Sequence, residues 1–271
     1  MEKSKKKRIL VIGMSGLVGG LVGRKLAEQH EVCALNRSRV EGVECLQADI
    51  ADLNAIRPAF NSVDIVINMA SHMSSSGTSD AMEPSDVSAY ISTNVIGGYN
   101  VFEASRQAGV SRVIYASAGA SVFNYVNDEP YRSLAEARWN DVPPNLKKLS
   151  HLAPYRPNGV YGASKAWAES LGRYYSDAHR MSVLCIRVGH VPHPPQTEFD
   201  LSPYQASIYC SHRDIAQMFE LCVTASDKLR FDIFFACSNN RGLFRDINHP
   251  REILGYEPQD GITEWPWMKP K

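Results

Sequence analysis

Gly13, Gly16 and Gly19 recur at three-residue spacing directly after a short apolar run, Arg8 to Ile12, and at the start of an amphipathic pattern, Gly16 to Gln29. The first run reads as a buried strand, and Leu17, Leu21 and Leu26 give the second one inner face at helical spacing. A strand that turns through glycine into a helix leaves the first amide N–H groups of that helix aimed at the turn, where they meet an anion. Gly13 permits the tight turn, Gly16 the approach of backbone to a pyrophosphate, and Gly19 the close packing of helix on strand. The expected dinucleotide cradle is Gly13, Ser15, Gly16, Leu17, Val18 and Gly19. The same stretch imitates a secretory signal, with a basic start from Lys3 to Arg8 and an apolar continuation. Five glycines between Gly13 and Gly23 weaken it as a membrane-inserting helix, and Arg24 and Lys25 close it without a small-residue cleavage site. It is expected to stay in the folded protein.

Strand and helix patterns then alternate. Strands are predicted at Val32 to Leu35, near Val43 to Gln47, and in VDIVINMA, SRVIYAS, SVLCIRV and DIFFAC. Helices are predicted from Asp52 to Phe60, Asp86 to Ala108 and Gly159 to Ala178, and in SHRDIAQMFELCV. This rhythm predicts an α/β fold, a Rossmann-type doubly wound parallel sheet covered on both faces. A chain of 271 residues suits a single domain over 1–271, with a cofactor-binding core at about 7–187 and a small substrate-binding portion largely in 188–271. Asn124 to Asn158, rich in Pro, Asn and charge, breaks the rhythm and reads as an active-site loop with one short helix.

Basic and acidic residues balance at 29 each, which argues against nucleic acid as a partner, and no run is long enough to span a bilayer, so no membrane partner is expected. Cys33, Cys45, Cys185, Cys210, Cys222 and Cys237 form no Cys-x-x-Cys pair and fit core thiols in a reducing cytoplasm. His190 with His193, and Cys210 with His212, lack a second cluster at metal-ligand spacing, so no metal is assigned.

Where a Rossmann-type site for NAD places a carboxylate, the second strand here ends in Asn36, Arg37, Ser38 and Arg39. Guanidiniums and a hydroxyl suit a 2′-phosphate, which favours NADP over NAD; if the arginines are only solvated turn residues, the preference disappears. Asp49 and Ile50 follow the third strand, where an adenine edge would be held, and Met69, Ala70 and Ser71 follow the fourth, near the expected ribose.

Tyr161 and Lys165 stand four residues apart on a predicted helix and so share a face. A phenol is a poor base at neutral pH, but a nearby ammonium and an oxidised nicotinamide favour its phenolate. Tyr161 would then take a proton from a substrate hydroxyl while hydride leaves for the nicotinamide, and Lys165 would also bind the nicotinamide ribose.

With the glycine loop, STNVIGGYNVFEAS, RVIYAS, YGASK and RVGHVP, the chain resembles the extended short-chain dehydrogenase/reductases of the NAD-dependent epimerase/dehydratase group along nearly its whole length. RPNGVYGASKAWAE, YCSHRDIAQMFE and NHPREILGYEPQD are most similar to uronate dehydrogenases, which oxidise a free hexuronate to a lactone. The resemblance implies an NAD(P)-dependent oxidoreductase acting on a small sugar or sugar acid. It also implies Asn94 as a structural or proton-relay residue, and a homodimer paired through the helices of Asp86 to Ala108 and of Tyr161. Two positions depart from the family. Ala118 stands where a serine or threonine meets the reacting oxygen, leaving Ser117 or Ser121 to supply the hydroxyl. Tyr204 stands where uronate dehydrogenases hold the substrate carboxylate with arginine, leaving Arg156, Arg187 or His193 as replacements. Two other readings stay open: an epimerase or dehydratase that returns the hydride, and a dinucleotide-sensing protein without turnover.

Overall fold

The computed structural model describes residues 6–73, 84–194, 196 and 200–264; Lys3 and Lys5 of the basic start and Pro195 of the Pro-rich loop lie outside them. In chain order come β1 (Arg8–Ile12), α1 (Leu17–Ala27), β2 (Glu31–Asn36), β3 (Glu44–Gln47), α2 (Leu53–Ile56), β4 (Ile65–Asn68), α3 (Pro84–Ala89), α4 (Gly98–Gln107) and β5 (Arg112–Ala118). They are followed by α5 (Tyr131–Ala135), α6 (Val160–His179), β6 (Ser182–Val188), α7 (Pro203–Ser207), α8 (His212–Thr224), β7 (Phe231–Ala236) and α9 (Asn248–Leu254).

The strands form one seven-stranded sheet in the order β3-β2-β1-β4-β5-β6-β7, parallel at every pairing. Strand order reverses between β1 and β4, and that switch point opens a crevice at the carboxyl ends of the strands. Alternation along β1 sends Ile9 and Val11 into a core with Ile215, Met218 and Phe219 of α8, and Leu10 and Ile12 into the opposite core with Val101 and Phe102 of α4 and Tyr175 of α6. The stretch after β6 supplies β7 to the same sheet and packs α8 against α1. A third apolar cluster, including Val122, Leu149, Phe235 and Phe244, covers the strand ends.

Two helices differ from their expected form for identifiable reasons. The helix expected over Asp52 to Phe60 starts on the Asp52 side chain, which accepts from the amides of Asn54 and Ala55, but tightens to a 3-10 turn over Arg57–Phe60. Pro58 has no N–H to continue the α ladder. The long helix expected over Asp86 to Ala108 passes through a π-helical segment, Tyr90–Gly97, between α3 and α4. A side chain at Gly97 would lie 2.5 Å from Ile50 Cγ1, so glycine is what lets this segment close onto the residue after β3.

Candidate functional site

The first part of the crevice is a cleft of about 240 Å³ lined by Gly13, Ser15 and Gly16 after β1, Asn36, Arg37 and Ser38 after β2, Asp49 and Ile50 after β3, and Met69, Ala70 and Ser71 after β4. Thr93, on the π-helical segment, joins them; it lies within the STNVIGGYNVFEAS stretch, where only Asn94 was expected at the site. Gly13 holds φ +83°, and a Cβ on it would fall 2.8 Å from the amide nitrogen of Ala70; one on Gly19 would fall 2.3 Å from the carbonyl of Gly13. Side chains at either position would break the turn or lift α1 off it. Leu17 opens α1 behind the loop, and Val18 borders the neighbouring chamber. Asn36 Nδ2 is buried in the lining without a partner among the described residues. A cradle closed by glycine and an unspent donor at the end of β2 fit the phosphate and ribose of a dinucleotide.

Met69 and Ser71 also line a second chamber of about 870 Å³, so the two cavities meet at the end of β4. This chamber is walled by Tyr161 and Lys165 of α6, by Ala116 to Ala120 at the end of β5, and by Phe123, His190, Tyr204 and Arg245, among others. Lys165 is 2% exposed and donates from Nζ to the carbonyl of Ala116 at 2.8 Å. Burial lowers its pKa to about 7, with Glu169 opposing. Burial pushes the Tyr161 phenol up to about 12, against a hydrogen bond with Ser71. Lys165 Nζ sits 5.5 Å from the Tyr161 ring centre, so the pair shares one helix face in a low-dielectric pocket. The protein alone holds the phenol in its protonated form; ionising it requires added positive charge nearby.

Asn94 is 1% exposed and clamps the backbone: Oδ1 accepts from the amide of His72 at 2.7 Å, while Nδ2 donates to the His72 carbonyl and the Ser164 hydroxyl, each at 3.0 Å. It thereby fixes the segment carrying Ser71 to the helix carrying Tyr161.

Ser117 and Ser121 spend their hydroxyls elsewhere. Ser117, although its residue borders the chamber, donates to buried Glu169, and Ser121 donates to the carbonyl of Ala118 at 3.0 Å. The hydroxyl that favours ionisation of the Tyr161 phenol against burial is that of Ser71, a residue expected only at the cofactor ribose.

Of the arginines considered for a carboxylate, Arg187 is tied to both oxygens of Glu169 at 2.9 and 2.8 Å, and Arg156 pairs with Asp128 outside the chamber lining. His193 borders the chamber but is exposed. Arg245 was not among the candidates. Its backbone is set by a parallel bridge to Leu149, with Leu149 N–H donating to Phe244 O and Asp246 N–H to Leu149 O. No spacing rule links residue 245 to Tyr161; only the fold brings them to one chamber.

A model of the NAD dependent epimerase/dehydratase family matches residues 9–207. The chain is 27% identical over 267 residues to NAD-dependent glucose-6-phosphate dehydrogenase of Haloferax volcanii, covering 95% of each chain. It is 28% identical over 262 residues to L-arabinose 1-dehydrogenase (NAD(P)(+)) of the same organism, covering 93% of this chain and 96% of the other. To uronate dehydrogenase of Agrobacterium fabrum it is 27% identical over 259 residues, covering 94% and 85%. In fold it resembles the crystal structure of Agrobacterium tumefaciens uronate dehydrogenase complexed with NAD, with a TM-score of 0.73 at 24% identity, over 94% of this chain and 86% of that one.

Proposed function

The chain belongs to the NAD dependent epimerase/dehydratase family, and from that premise we propose that it is a nicotinamide-dependent oxidoreductase acting on a small sugar or sugar acid. The observation that carries this reading is the adjacency of the two cavities, which share Met69 and Ser71 in their linings and so put a glycine-closed cradle beside a chamber holding Tyr161 and Lys165. The full-length matches to sugar dehydrogenases support the substrate class.

In this reading a bound dinucleotide supplies the hydride acceptor. Gly13, Ser15 and Gly16 hold its pyrophosphate; Asn36, Arg37, Ser38, Asp49 and Ile50 surround the adenosine; Ala70 and Ser71 stand at the ribose. Tyr161 takes the proton from the sugar hydroxyl, with Ser71 steadying the phenolic oxygen. Lys165 holds a positive charge near the ring when protonated, and Asn94 keeps Ser71 and Tyr161 in register. Arg37 and Ser38, both exposed in the cleft where NAD sites carry a carboxylate, favour NADP. Comparative titration with the two dinucleotides tests that preference, and tighter NAD binding overturns it. The pairing surface we propose for a homodimer is the exposed apolar face carrying Ile91, Ile96 and Tyr99 with Val160 and Tyr174 of α6.

The reading is tested by incubating the protein with NAD or NADP and a panel of free sugars, hexuronates and sugar phosphates, following reduced cofactor. Steady accumulation supports it; isomerised sugar without accumulation replaces it with the epimerase reading. Replacing Tyr161→Phe is expected to lower kcat by roughly 10²- to 10⁴-fold while sparing cofactor binding. Unchanged turnover would remove Tyr161 from its role.

A further inference from the structure

Arg245 is 2% exposed, yet its guanidinium borders the chamber of Tyr161 and Lys165. Nη2 donates to the Tyr204 hydroxyl at 3.1 Å. The group lies over the rings of Phe235 and Phe244, at 5.6 and 5.8 Å, with the Cys237 thiol beside it. Nε and Nη1 have no hydrogen-bond partner, and no carboxylate pairs with the group, among the described residues. The other two arginines buried to this degree are compensated. Arg187 has Glu169, and Arg112 donates to the hydroxyl of Ser182 and to the carbonyls of Cys222, Ala225 and Ser226. A guanidinium taken out of water with donors unspent is costly unless an anion arrives to meet it.

The surrounding sequence makes room for this charge. A Cβ at Gly119 would fall 2.1 Å from Arg245 Nη2, so the glycine at the end of β5 is what lets the guanidinium lie against that wall. Tyr204 accepts from Arg245 and so keeps its own phenolic proton to donate. Arginine donors and a phenol hydroxyl at one wall of a pocket form a receptor for a carboxylate or a phosphate.

We propose that Arg245, assisted by Tyr204, is the anion subsite of this chamber and selects acidic sugars, meaning sugars that carry a carboxylate or a phosphate ester. The proposal rests on the reading of the chamber as a sugar site. It places the anion receptor on a residue after β7, and it assigns to Tyr204 a supporting contact in place of the charge expected at its position.

The test compares binding of glucuronate, glucose 6-phosphate and glucose by calorimetry to the full chain and to Arg245→Met, Arg245→Lys and Tyr204→Phe. In the parent protein, at least one acidic sugar is expected to bind roughly 10- to 100-fold more tightly than glucose, the range of a charge-assisted contact. In Arg245→Met that ratio is expected to fall to within about 2-fold, with Arg245→Lys and Tyr204→Phe between the two. A fault in folding weakens all three sugars together and cancels in the ratio. Preference for glucuronate identifies a carboxylate and preference for glucose 6-phosphate a phosphate; either supports the proposal. A parent protein that binds neither acidic sugar above glucose, or a ratio unmoved in Arg245→Met, overturns it. Arg245-dependent binding without reduction of NAD or NADP leaves the subsite standing and removes the oxidoreductase reading. Reduction with a neutral sugar, indifferent to Arg245, does the reverse.

Discussion

Arg187 and Arg245 share one aromatic neighbour, with their guanidiniums 5.4 and 5.6 Å from the centre of Phe235, and both are almost wholly buried. Their hydrogen bonding separates them. Arg187 gives two donors to Glu169 and a third to the carbonyl of His151, while Ser117 adds its hydroxyl to the same carboxylate. That closed network ties β6 to α6 and to the loop ahead of it. Arg245 gives one donor to a phenol and keeps the rest beside a chamber. A buried charge whose bonds are satisfied inside the protein holds shape; one whose bonds are left open at a cavity wall is available to a ligand.

The largest effect expected from breaking this contrast is on the closed side. Arg187→Met strips the fully buried Glu169 of the partner that holds both its oxygens, which is expected to cost about 3–5 kcal/mol of folding stability. Denaturant titration of the variant against the parent measures it. A loss below about 1 kcal/mol would mean that the network relaxes around the missing charge, and the distinction from Arg245 would narrow.

Next in size, read per unit of pH, is an effect at Lys165, which has Glu169 as the neighbour favouring its charge. Unfolded, Lys165 keeps its proton to about pH 10.5; folded, only to about 7. Between those values the unfolded chain binds the extra proton, so stability is expected to rise with pH by up to about 1.4 kcal/mol per unit. Below pH 7 the cost of the buried charge is present in full. Denaturation of the parent across that window, set against Lys165→Met, checks the sign. If the two slopes match, the rise has another origin.

The two parts of the crevice were unequally legible. The first cleft is lined by residues at the ends of consecutive strands, so position after each expected strand pointed to Gly13, Gly16, Asn36, Asp49 and Ser71. Thr93 escaped because hydrophobic periodicity does not separate an α-helix from the π-helical segment that turns it to the cleft. The seven parallel strands were readable for the same local reason, and Pro58 is where a helix pattern continued past its hydrogen bonds. The chamber is different. Tyr161 and Lys165 announce themselves because one helix turn joins them, whereas Glu169 cancels Arg187 from another element and Arg245 arrives through a bridge to Leu149. Ser117 shows the limit of alignment by position: next to Ala118 on the same strand, it points to the opposite face and into the Glu169 network.

The smallest expected effect completes the contrast from the open side. Arg245→Met removes a buried guanidinium, its bond to Tyr204 and its contacts with two aromatic rings, and inserts an apolar chain of adaptable shape. No carboxylate is stranded, because none pairs with Arg245 among the described residues. The lost ring and phenol contacts oppose the relief of an undercompensated charge, so folding stability is expected to stay within about 1 kcal/mol of the parent. Denaturant titration beside Arg187→Met reads both arginines on one scale. A loss as large as that of Arg187→Met would make Arg245 a strut of the fold, because a charge kept for a ligand has little reason to stabilise the protein without one.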